Sequence, residues 1–151
     1  MTTELLCQTD SYLRKFDARV VDYAPEGVVL SRSAFYPGGG GQPHDTGWIE
    51  QGEQRWRVTK LARREGAIWH LIEGDAPPPA AGSIVHGEID WERRYQLMRT
   101  HTAFHILCGV IWRDYGAQVT GGNMEPLRGR MDFEFERMEK ELVQEIERAI
   151  N

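Results

Sequence analysis

The feature of this sequence that most restricts its fold is a change in hydrophobic pattern at Asp90. Before Asp90, short runs of β-branched and aromatic residues are separated by Gly and Pro, which is typical of strands in a small antiparallel barrel or sandwich. These runs are DARVVDY, GVVLSRSAFY, GWIEQG, RWRVTKLARR, AIWHLIEG and IVHGEID. The Pro-rich segment GDAPPPAAGS predicts a loop before the last run. We therefore predict a β-barrel lobe over residues 1–90.

One long helix is predicted after this change of pattern, over IDWERRYQLMRTHTAFHILCGVIWRDYG. Asp90 suits the N-cap position, and Gly116 can end the helix in a left-handed conformation. The second half, AFHILCGVIW, is apolar on all sides. We therefore expect this half to be buried in the core.

The remaining residues predict a strand and a second helix. Three apolar residues alternate with polar ones, as in a strand with one wet face: Met131, Phe133 and Phe135. From Glu136 onward, an amphipathic helix is expected to carry four apolar residues on one side: Met138, Leu142, Ile146 and Ile150. Residues 91–151 are thus predicted to begin an α+β lobe with an incomplete sheet, and the fold class is α+β.

Two histidines, His101 and His105, lie four residues apart in the predicted long helix. Residues at this spacing are one turn apart on the same face, so both rings can approach one metal ion. Zinc accepts imidazole and takes four ligands, or three and a water molecule. The alternative is a pair of core histidines satisfied by hydrogen bonds, since an unpaired buried polar group costs about 1–3 kcal/mol. A metalloprotease is disfavoured because Thr102 occupies the position of the glutamate in H-E-x-x-H.

The spacing does not identify a third metal ligand. Cys108 lies seven residues after His101, which is about 10.5 Å along a helix axis and too far to complete one coordination sphere. His44, His70 and His86 lie in the strand-rich part of the chain, and any of them could approach the pair.

The segment SAFYPGGGGQPHDTGWI contains four consecutive glycines between Pro37 and Pro43. Glycines expose backbone N–H groups and permit close approach by a ligand or another chain segment. No Lys-Ser/Thr pair follows, so the loop is not a phosphate-binding P-loop, and the dinucleotide-binding fingerprint is also absent. Taken alone, the segment is also compatible with a flexible turn.

Charge and composition limit the classes of partner. The formal net charge of −5 argues against broad affinity for polyanions, so any contact with nucleic acid must be local. Two cysteines, Cys7 and Cys108, are too few for a disulfide framework and are interpreted as reduced thiols. The sequence shows neither an apolar run of about 18 residues nor a signal peptide, so we expect a cytoplasmic protein without membrane contact.

Taken in order, FYPGGGGQP, DTG, RTHTAFH, TGG, DFEFE and IERAIN resemble the editing domains of alanyl-tRNA synthetases and the free-standing AlaX proteins. The resemblance covers nearly all of the chain from about Phe16. It implies hydrolysis of the ester that joins a misactivated amino acid, chiefly serine or glycine, to the terminal ribose of alanine tRNA. The expected partner is therefore the acceptor end of tRNA(Ala). The resemblance also implies a zinc ion held by the HxxxH pair, matched by His101 and His105, and by a Cys-x-x-x-His pair further along.

Substrate-side residues follow from the same resemblance, which assigns no catalytic residue. In the glycine-rich loop they are Gly38, Gly39, Gly40, Gly41 and Gln42. Ser33 stands where relatives often have a threonine, and it keeps a hydroxyl group that could recognise a seryl side chain.

The chain departs from the family pattern in one respect. It contains no Cys-x-x-x-His, and relatives continue beyond the position that matches Asn151. We therefore expect a fragment whose two further zinc ligands lie outside this chain, the other explanation being a shortened protein with a damaged metal site. The alternatives are a noncatalytic RNA-binding or interaction module that keeps the fold, and a hydrolase of some other small ester or amide. Unpaired edges of an incomplete sheet predict a homodimer or poor solubility.

Overall fold

The computed structural model describes residues 2–151, which divide into two compact units. The first ends at Arg94 and the second runs from Tyr95 to Asn151. This division lies a few residues after the boundary expected between 90 and 91, and the functional division into residues 1–90 and 91–151 stays a prediction.

Residues 2–151 form ten β-strands and two α-helices, with a short 3₁₀ turn at Leu6–Gln8. The elements are β1 (Glu4–Leu5), β2 (Lys15–Ala24), β3 (Gly27–Leu30), β4 (Arg32–Ser33), β5 (Gly47–Gln51), β6 (Gln54–Arg64), β7 (Ala67–Glu73), β8 (Ile84–Ile89), α1 (Trp91–Tyr115), β9 (Val119–Glu125), β10 (Arg128–Phe133) and α2 (Lys140–Ile150).

Six strands of the first unit close into an antiparallel barrel in the order β2-β3-β7-β6-β5-β8. This confirms the predicted α+β fold with an N-terminal barrel. Where β8 joins β2, Phe16 lies opposite Gly87, and a Cβ at Gly87 would approach the Phe16 ring to 2.4 Å. Glycine is therefore required for the ring to pack into the barrel.

The barrel core follows from the alternation of side chains along each strand. In β2, for example, Phe16, Ala18 and Val20 are buried while the intervening side chains are exposed. The Pro-rich segment is a loop as predicted, and the Trp56 Nε1–H group donates a hydrogen bond to the carbonyl of Pro77 at 3.1 Å. A buried indole N–H thus finds its partner in the loop.

The long helix α1 begins and ends where the sequence predicts. Asp90 Oδ1 accepts a hydrogen bond from the Arg93 N–H group at 3.1 Å, which is the expected N-cap interaction. Gly116, with φ +65°, follows the last turn, and its N–H group donates to the Trp112 carbonyl at 3.0 Å.

The prediction that the second half of α1 is buried on all sides is wrong. The side chain of Ile106 is 51% exposed and that of Trp112 is 57% exposed. Within the second unit, only a two-stranded sheet and one shorter helix are present to cover α1, so apolar composition alone does not lead to burial.

The second unit contains a hairpin and a small apolar cluster. β9 and β10 pair antiparallel with each other and, among residues 2–151, with no other strand. The cluster consists of Ile111, Ala117 and Ile146, against which Leu107, Phe133, Phe135 and Leu142 are packed.

Two details of this second unit differ from the prediction. β10 ends at Phe133, so Phe135 lies beyond the strand. α2 begins at Lys140 rather than near Glu136, and Met138 therefore precedes the helix and is 54% exposed. No helix among the described residues has the length and apolar character needed to cross a lipid bilayer.

Candidate functional site

The glycine-rich loop is a tight turn closed by its own backbone. The Gly39 N–H group donates to the Gln42 carbonyl at 3.1 Å, and the Gln42 N–H group donates to the Gly39 carbonyl at 3.0 Å. Between them, Gly40 and Gly41 have φ values of +56° and +82°, as in a type I′ turn. Gly38 and Gly39 also have positive φ, at +88° and +136°. The four glycines are therefore a requirement of backbone geometry.

At the tip of the turn, the backbone is open to an approaching ligand. A Cβ at Gly40 or Gly41 would meet no other atom within 4 Å. Within residues 2–151, the N–H groups of these two glycines have no hydrogen-bond acceptor. Two backbone donors are thus available to an oxyanion or another acceptor.

A buried ion pair fixes the base of this loop. Asp45 is 0% exposed and Arg94 is 2% exposed. Arg94 Nε lies 3.0 Å and 2.8 Å from the two carboxylate oxygens of Asp45. The other guanidinium nitrogens donate to the carbonyls of Ser11 and Ala34 at 2.9 Å and 2.7 Å. Each guanidinium nitrogen of Arg94 therefore has a partner within the first unit.

Asp45 also joins the two ends of the loop through Tyr36. The Tyr36 N–H group donates to Asp45 Oδ2 at 2.8 Å, and the Asp45 N–H group donates to the Tyr36 carbonyl at 2.9 Å. The Tyr36 hydroxyl donates to the Gly39 carbonyl at 2.8 Å, and burial raises the pKa of this phenol. Tyr36 therefore stays protonated at neutral pH and holds the turn as a donor.

Sequence reasoning missed this ion pair. The only signals are the aspartate that follows the loop and the Arg93–Arg94 doublet in the first turn of the helix. The sequence does not distinguish buried Arg94 from Arg93, whose guanidinium donates to the carbonyl of His44 at 3.2 Å.

Ser33 lies in β4, outside the closed six-stranded barrel, and its side chain is buried against His70 of β7. Ser33 is 0% exposed, and its Oγ accepts a hydrogen bond from the Phe35 N–H group at 3.2 Å. His70 Nε2 lies 2.8 Å from the same oxygen, and His70 Nδ1 lies 3.3 Å from the carbonyl of Val28. Because a carbonyl only accepts, Nδ1 carries the ring proton and the Ser33 hydroxyl donates to Nε2. The predicted contact of Ser33 with substrate stays a prediction, and the structure gives its hydroxyl a role in the barrel core.

His101 and His105 lie one turn apart on α1 with their rings stacked. The ring centroids are 4.9 Å apart and the ring planes differ by 18°. His101 is half-buried and His105 is exposed, so the alternative of two buried core histidines is wrong for His105. Desolvation and then the neighbouring His105 lower the pKa of His101. A lowered pKa favours the neutral imidazole, which is the form that binds metals.

The three other histidines belong to the first unit. Both ring nitrogens of His70 are engaged in the barrel, as described above. His86 Nδ1 lies 2.9 Å from a carboxylate oxygen of Asp17, and His44 Nδ1 lies 3.0 Å from the carbonyl of Asp45. These contacts give each histidine a partner within the barrel unit.

Comparison with known proteins decides the family. A family model described as "tRNA synthetases class II (A)" matches residues 6–93, which is more than half of the chain. The chain belongs to this family.

Individual relatives show which branch of this family the chain resembles. The alanyl-tRNA editing protein AlaX-M of Saccharolobus solfataricus is 43% identical over 137 residues, or 89% of this chain and 57% of that protein. AlaX-M of Methanosarcina acetivorans is 40% identical over 99% of this chain and 64% of its own length. The alanine–tRNA ligase of Ignicoccus hospitalis is 38% identical over 99% of this chain and 16% of its own length. The chain is thus an AlaX-type editing domain that spans about three fifths of the AlaX-M proteins it matches.

The sites predicted for an AlaX-type domain are distributed over both units. Ser33 and the loop Gly38–Gln42 lie in the first unit, and His101 and His105 lie in the second. Gln42 is 8% exposed, and its backbone closes the turn. These assignments stay predictions.

The zinc ion expected for the family can be tested against the ligands present. Within residues 2–151 there is no group of three or more His, Cys, Asp or Glu side chains that could hold a metal ion. Cys108 is half-buried and its Sγ lies 4.0 Å from Met131 Sδ. The stacked pair supplies two nitrogen ligands, whereas zinc takes three or four protein ligands. The described residues therefore do not by themselves fit a zinc site.

Proposed function

We propose that this AlaX-type domain is part of a hydrolase that removes serine or glycine from mischarged tRNA(Ala). The observation that carries the proposal is the 43% identity, over 89% of the chain, to a protein named for alanyl-tRNA editing. The open turn at Gly40 and Gly41 supports it, because a hydrolase of esters needs donors for the developing oxyanion and this turn has two backbone N–H groups without an acceptor in residues 2–151. The acceptor end of tRNA(Ala) is then the partner, and the cytoplasm is the proposed location.

The proposed chemistry is an acyl transfer to water. Water attacks the ester carbonyl, negative charge develops on its oxygen, and the 3′-terminal ribose hydroxyl leaves. Backbone N–H groups aimed at this oxygen stabilise the transition state, and loss of one such donor typically costs a factor of about 10²–10³ in rate. We assign this role to the N–H groups of Gly40 and Gly41, whose donors have no acceptor within residues 2–151.

Selection against alanine requires a polar contact, because alanine is smaller than serine and cannot be rejected by size. A site that hydrogen-bonds a substrate hydroxyl discriminates strongly against an analogue that lacks it.

Zinc binding is a separate part of the proposal. His101 and His105 are the two ligands that this chain would contribute, with two more from residues outside it. Metal analysis of the purified protein, with His101→Ala/His105→Ala as the variant, tests this part. One zinc per molecule is expected where the two further ligands are also present, and none in the variant, whereas this chain without those ligands is expected to bind zinc weakly.

The alternative function is a noncatalytic RNA-binding module that keeps the editing fold. It is favoured by one observation, the lack of a third and fourth metal ligand among residues 2–151. This alternative predicts RNA binding without turnover.

Deacylation of tRNA(Ala) charged with serine, glycine or alanine separates the two functions. Editing predicts release of serine and glycine at rates at least ten times that for alanine. His101→Ala/His105→Ala is expected to lose this turnover, whereas His86→Ala, which changes a histidine of the barrel unit, should keep it. Absence of turnover by the wild type with zinc supplied would favour the noncatalytic module.

A further inference from the structure

A pocket of about 270 Å³ lies entirely within the second unit. One wall comes from α1, and the other comes from the turn between β9 and β10 together with the first two residues of β10. Its lining residues are Arg99, Thr100, Ala103, Phe104, Leu127, Arg128 and Gly129. The pocket therefore combines two cations with an aromatic ring and small apolar groups.

Both arginines of this pocket carry uncompensated charge. Within residues 2–151, neither Arg99 nor Arg128 has an ion pair within 4.0 Å, and no carboxylate lines the pocket. Glu125 is the register partner of Arg128, yet their side chains form no ion pair. By contrast, Arg130 on the same strand lies 3.2 Å from a carboxylate oxygen of Asp132.

The walls of the pocket are held in place by close packing. A Cβ at Gly129 would lie 2.2 Å from the Phe104 ring, so the ring rests directly on the β10 backbone. Leu127 makes the preceding turn with φ +57°, and Arg128 follows it immediately. Thr100 is buried, and its hydroxyl donates to the Gln96 carbonyl at 2.9 Å. The hydroxyl oxygen keeps a lone pair to accept a further hydrogen bond.

The pocket lies on a different side of α1 from the histidine pair. Successive residues of an α-helix are about 100° apart around its axis, so the pocket-lining residues of α1 are centred roughly 150° from His101 and His105. These lining residues are Arg99, Thr100, Ala103 and Phe104. A ligand in the pocket therefore binds apart from the predicted metal ligands.

We propose that this pocket binds a backbone phosphate of the RNA substrate, an inference that rests on the proposed function. Arginines bind phosphate oxygens through paired N–H donors, and such contacts fix the register of a nucleic acid. Phe104 and the small apolar residues provide a surface for the adjoining sugar or base. The net charge of −5 requires contact with RNA to be local, and a pocket with two unpaired arginines meets this requirement.

The test measures binding of a tRNA(Ala) acceptor-stem minihelix that is not aminoacylated, by fluorescence anisotropy over a range of salt concentrations. Each phosphate contact contributes about 0.7–0.9 to the slope of log K against log salt. Arg99→Ala/Arg128→Ala is expected to reduce this slope by about 0.7–0.9, the contribution of one phosphate contact, and to weaken binding about tenfold. Arg130→Ala/Arg148→Ala removes the same charge from the second unit outside the pocket and should change affinity less than threefold.

A conservative variant distinguishes a binding role from a structural one. Arg99→Lys/Arg128→Lys keeps the charge, so it should retain the wild-type salt slope while losing the paired geometry of guanidinium contacts. Circular dichroism spectra and melting curves show whether each variant has folded. If the alanine variant has not, the lysine variant is compared with the wild type instead.

Two results would overturn the inference. One is an equal decrease of the salt slope in Arg99→Ala/Arg128→Ala and in the control variant. The other is absence of minihelix binding by the wild type. Competition with inorganic phosphate separates a free-anion site from an RNA site, since occupancy by phosphate without minihelix binding also contradicts the proposal. Because the minihelix carries no amino acid, these binding results are independent of deacylation, which tests the proposed function.

Discussion

The hydrogen-bonded pair of Ser33 and His70 places a titratable ring inside a barrel core. Desolvation lowers the pKa of His70 from 6.5 to about 4, although bonds to the backbone at Val28 and Ile68 oppose this shift. Protonation at Nε2 would reverse the direction of the bond to Ser33, because the charged ring can only donate there. The neutral ring is therefore part of the native barrel.

Acid stability should depend on His70. Between about pH 6.5 and pH 4, the unfolded chain binds a proton at this ring that the native chain does not bind. The free energy of unfolding should therefore fall as the pH falls through this range, by about 3 kcal/mol in total. His70→Gln should flatten the curve in this window. Urea unfolding at a series of pH values tests the prediction, and identical slopes for both proteins would contradict it.

The Asp45–Arg94 ion pair leads to a second prediction at the residue scale. Removing one partner of a buried pair leaves an uncompensated charge, which typically costs about 3–5 kcal/mol. We expect Arg94→Ala to destabilise the barrel by this amount and to loosen the glycine-rich loop. Arg113→Ala removes a cation from the exposed pair with Asp114 and should cost less than about 1 kcal/mol.

Chemical denaturation of the two arginine variants provides the comparison. Equal losses of stability in both would show that the buried pair does not support the barrel. The sequence alone does not distinguish the buried Arg94 from the exposed Arg113, because burial of Arg94 depends on where its partners Ser11, Ala34 and Asp45 lie in the folded first unit. The spacing of His101 and His105, by contrast, depends only on helix periodicity, and the structure places both rings on one face.

At the scale of elements, local patterning predicted most of the barrel. Each of the six strand-like runs contains or overlaps a strand of the structure, because alternation and turn residues act over short distances. The loop at Gly38–Gly41 was predicted as a segment, but the type of turn was not. Turn type depends on backbone dihedral angles that consecutive glycines leave open.

The glycine-rich loop allows a prediction that separates two kinds of glycine. Gly39, with φ +136°, occupies a region that L-residues rarely adopt, whereas Gly40, with φ +56°, lies in the left-handed region that asparagine tolerates. Gly39→Ala should therefore distort the turn and cost about 1–3 kcal/mol. Gly40→Asn should cost less than about 1 kcal/mol.

Thermal melts and amide exchange of residues in the loop measure these effects. Both substitutions add a Cβ to a glycine of the same turn, so a larger loss for Gly40→Asn than for Gly39→Ala would refute the assigned turn geometry.

At the scale of the whole chain, apolar exposure is concentrated in the second unit. Its exposed large hydrophobic residues are Tyr95, Ile106, Trp112, Tyr115, Val119, Leu127, Met138, Val143 and Ile150. The hairpin of this unit also presents two strand edges that pair with no other strand among residues 2–151. Sequence patterning overestimated the burial of this unit because it does not record how much neighbouring structure is present.

These surfaces lead us to predict self-association of the chain. Exposed apolar groups and open strand edges promote pairing between copies. Sedimentation velocity should show a concentration-dependent dimer or larger species, and Trp112→Glu should shift the population toward monomer. Tyr23→Glu, at an exposed residue of the barrel unit, is the control. A wild type that stays monomeric at high concentration would exclude this behaviour.

The dihedral angles of the glycine-rich loop have a stereochemical consequence. Four consecutive residues with positive φ trace a path that suits the mirror-image amino acids, for which positive φ is the relaxed state. A semisynthetic protein with D-alanine at position 40 or 41, where a Cβ would meet no other atom within 4 Å, would keep the native path of the chain. The D-residue would also restrict the unfolded chain, so handedness rather than size determines which residues this loop accepts.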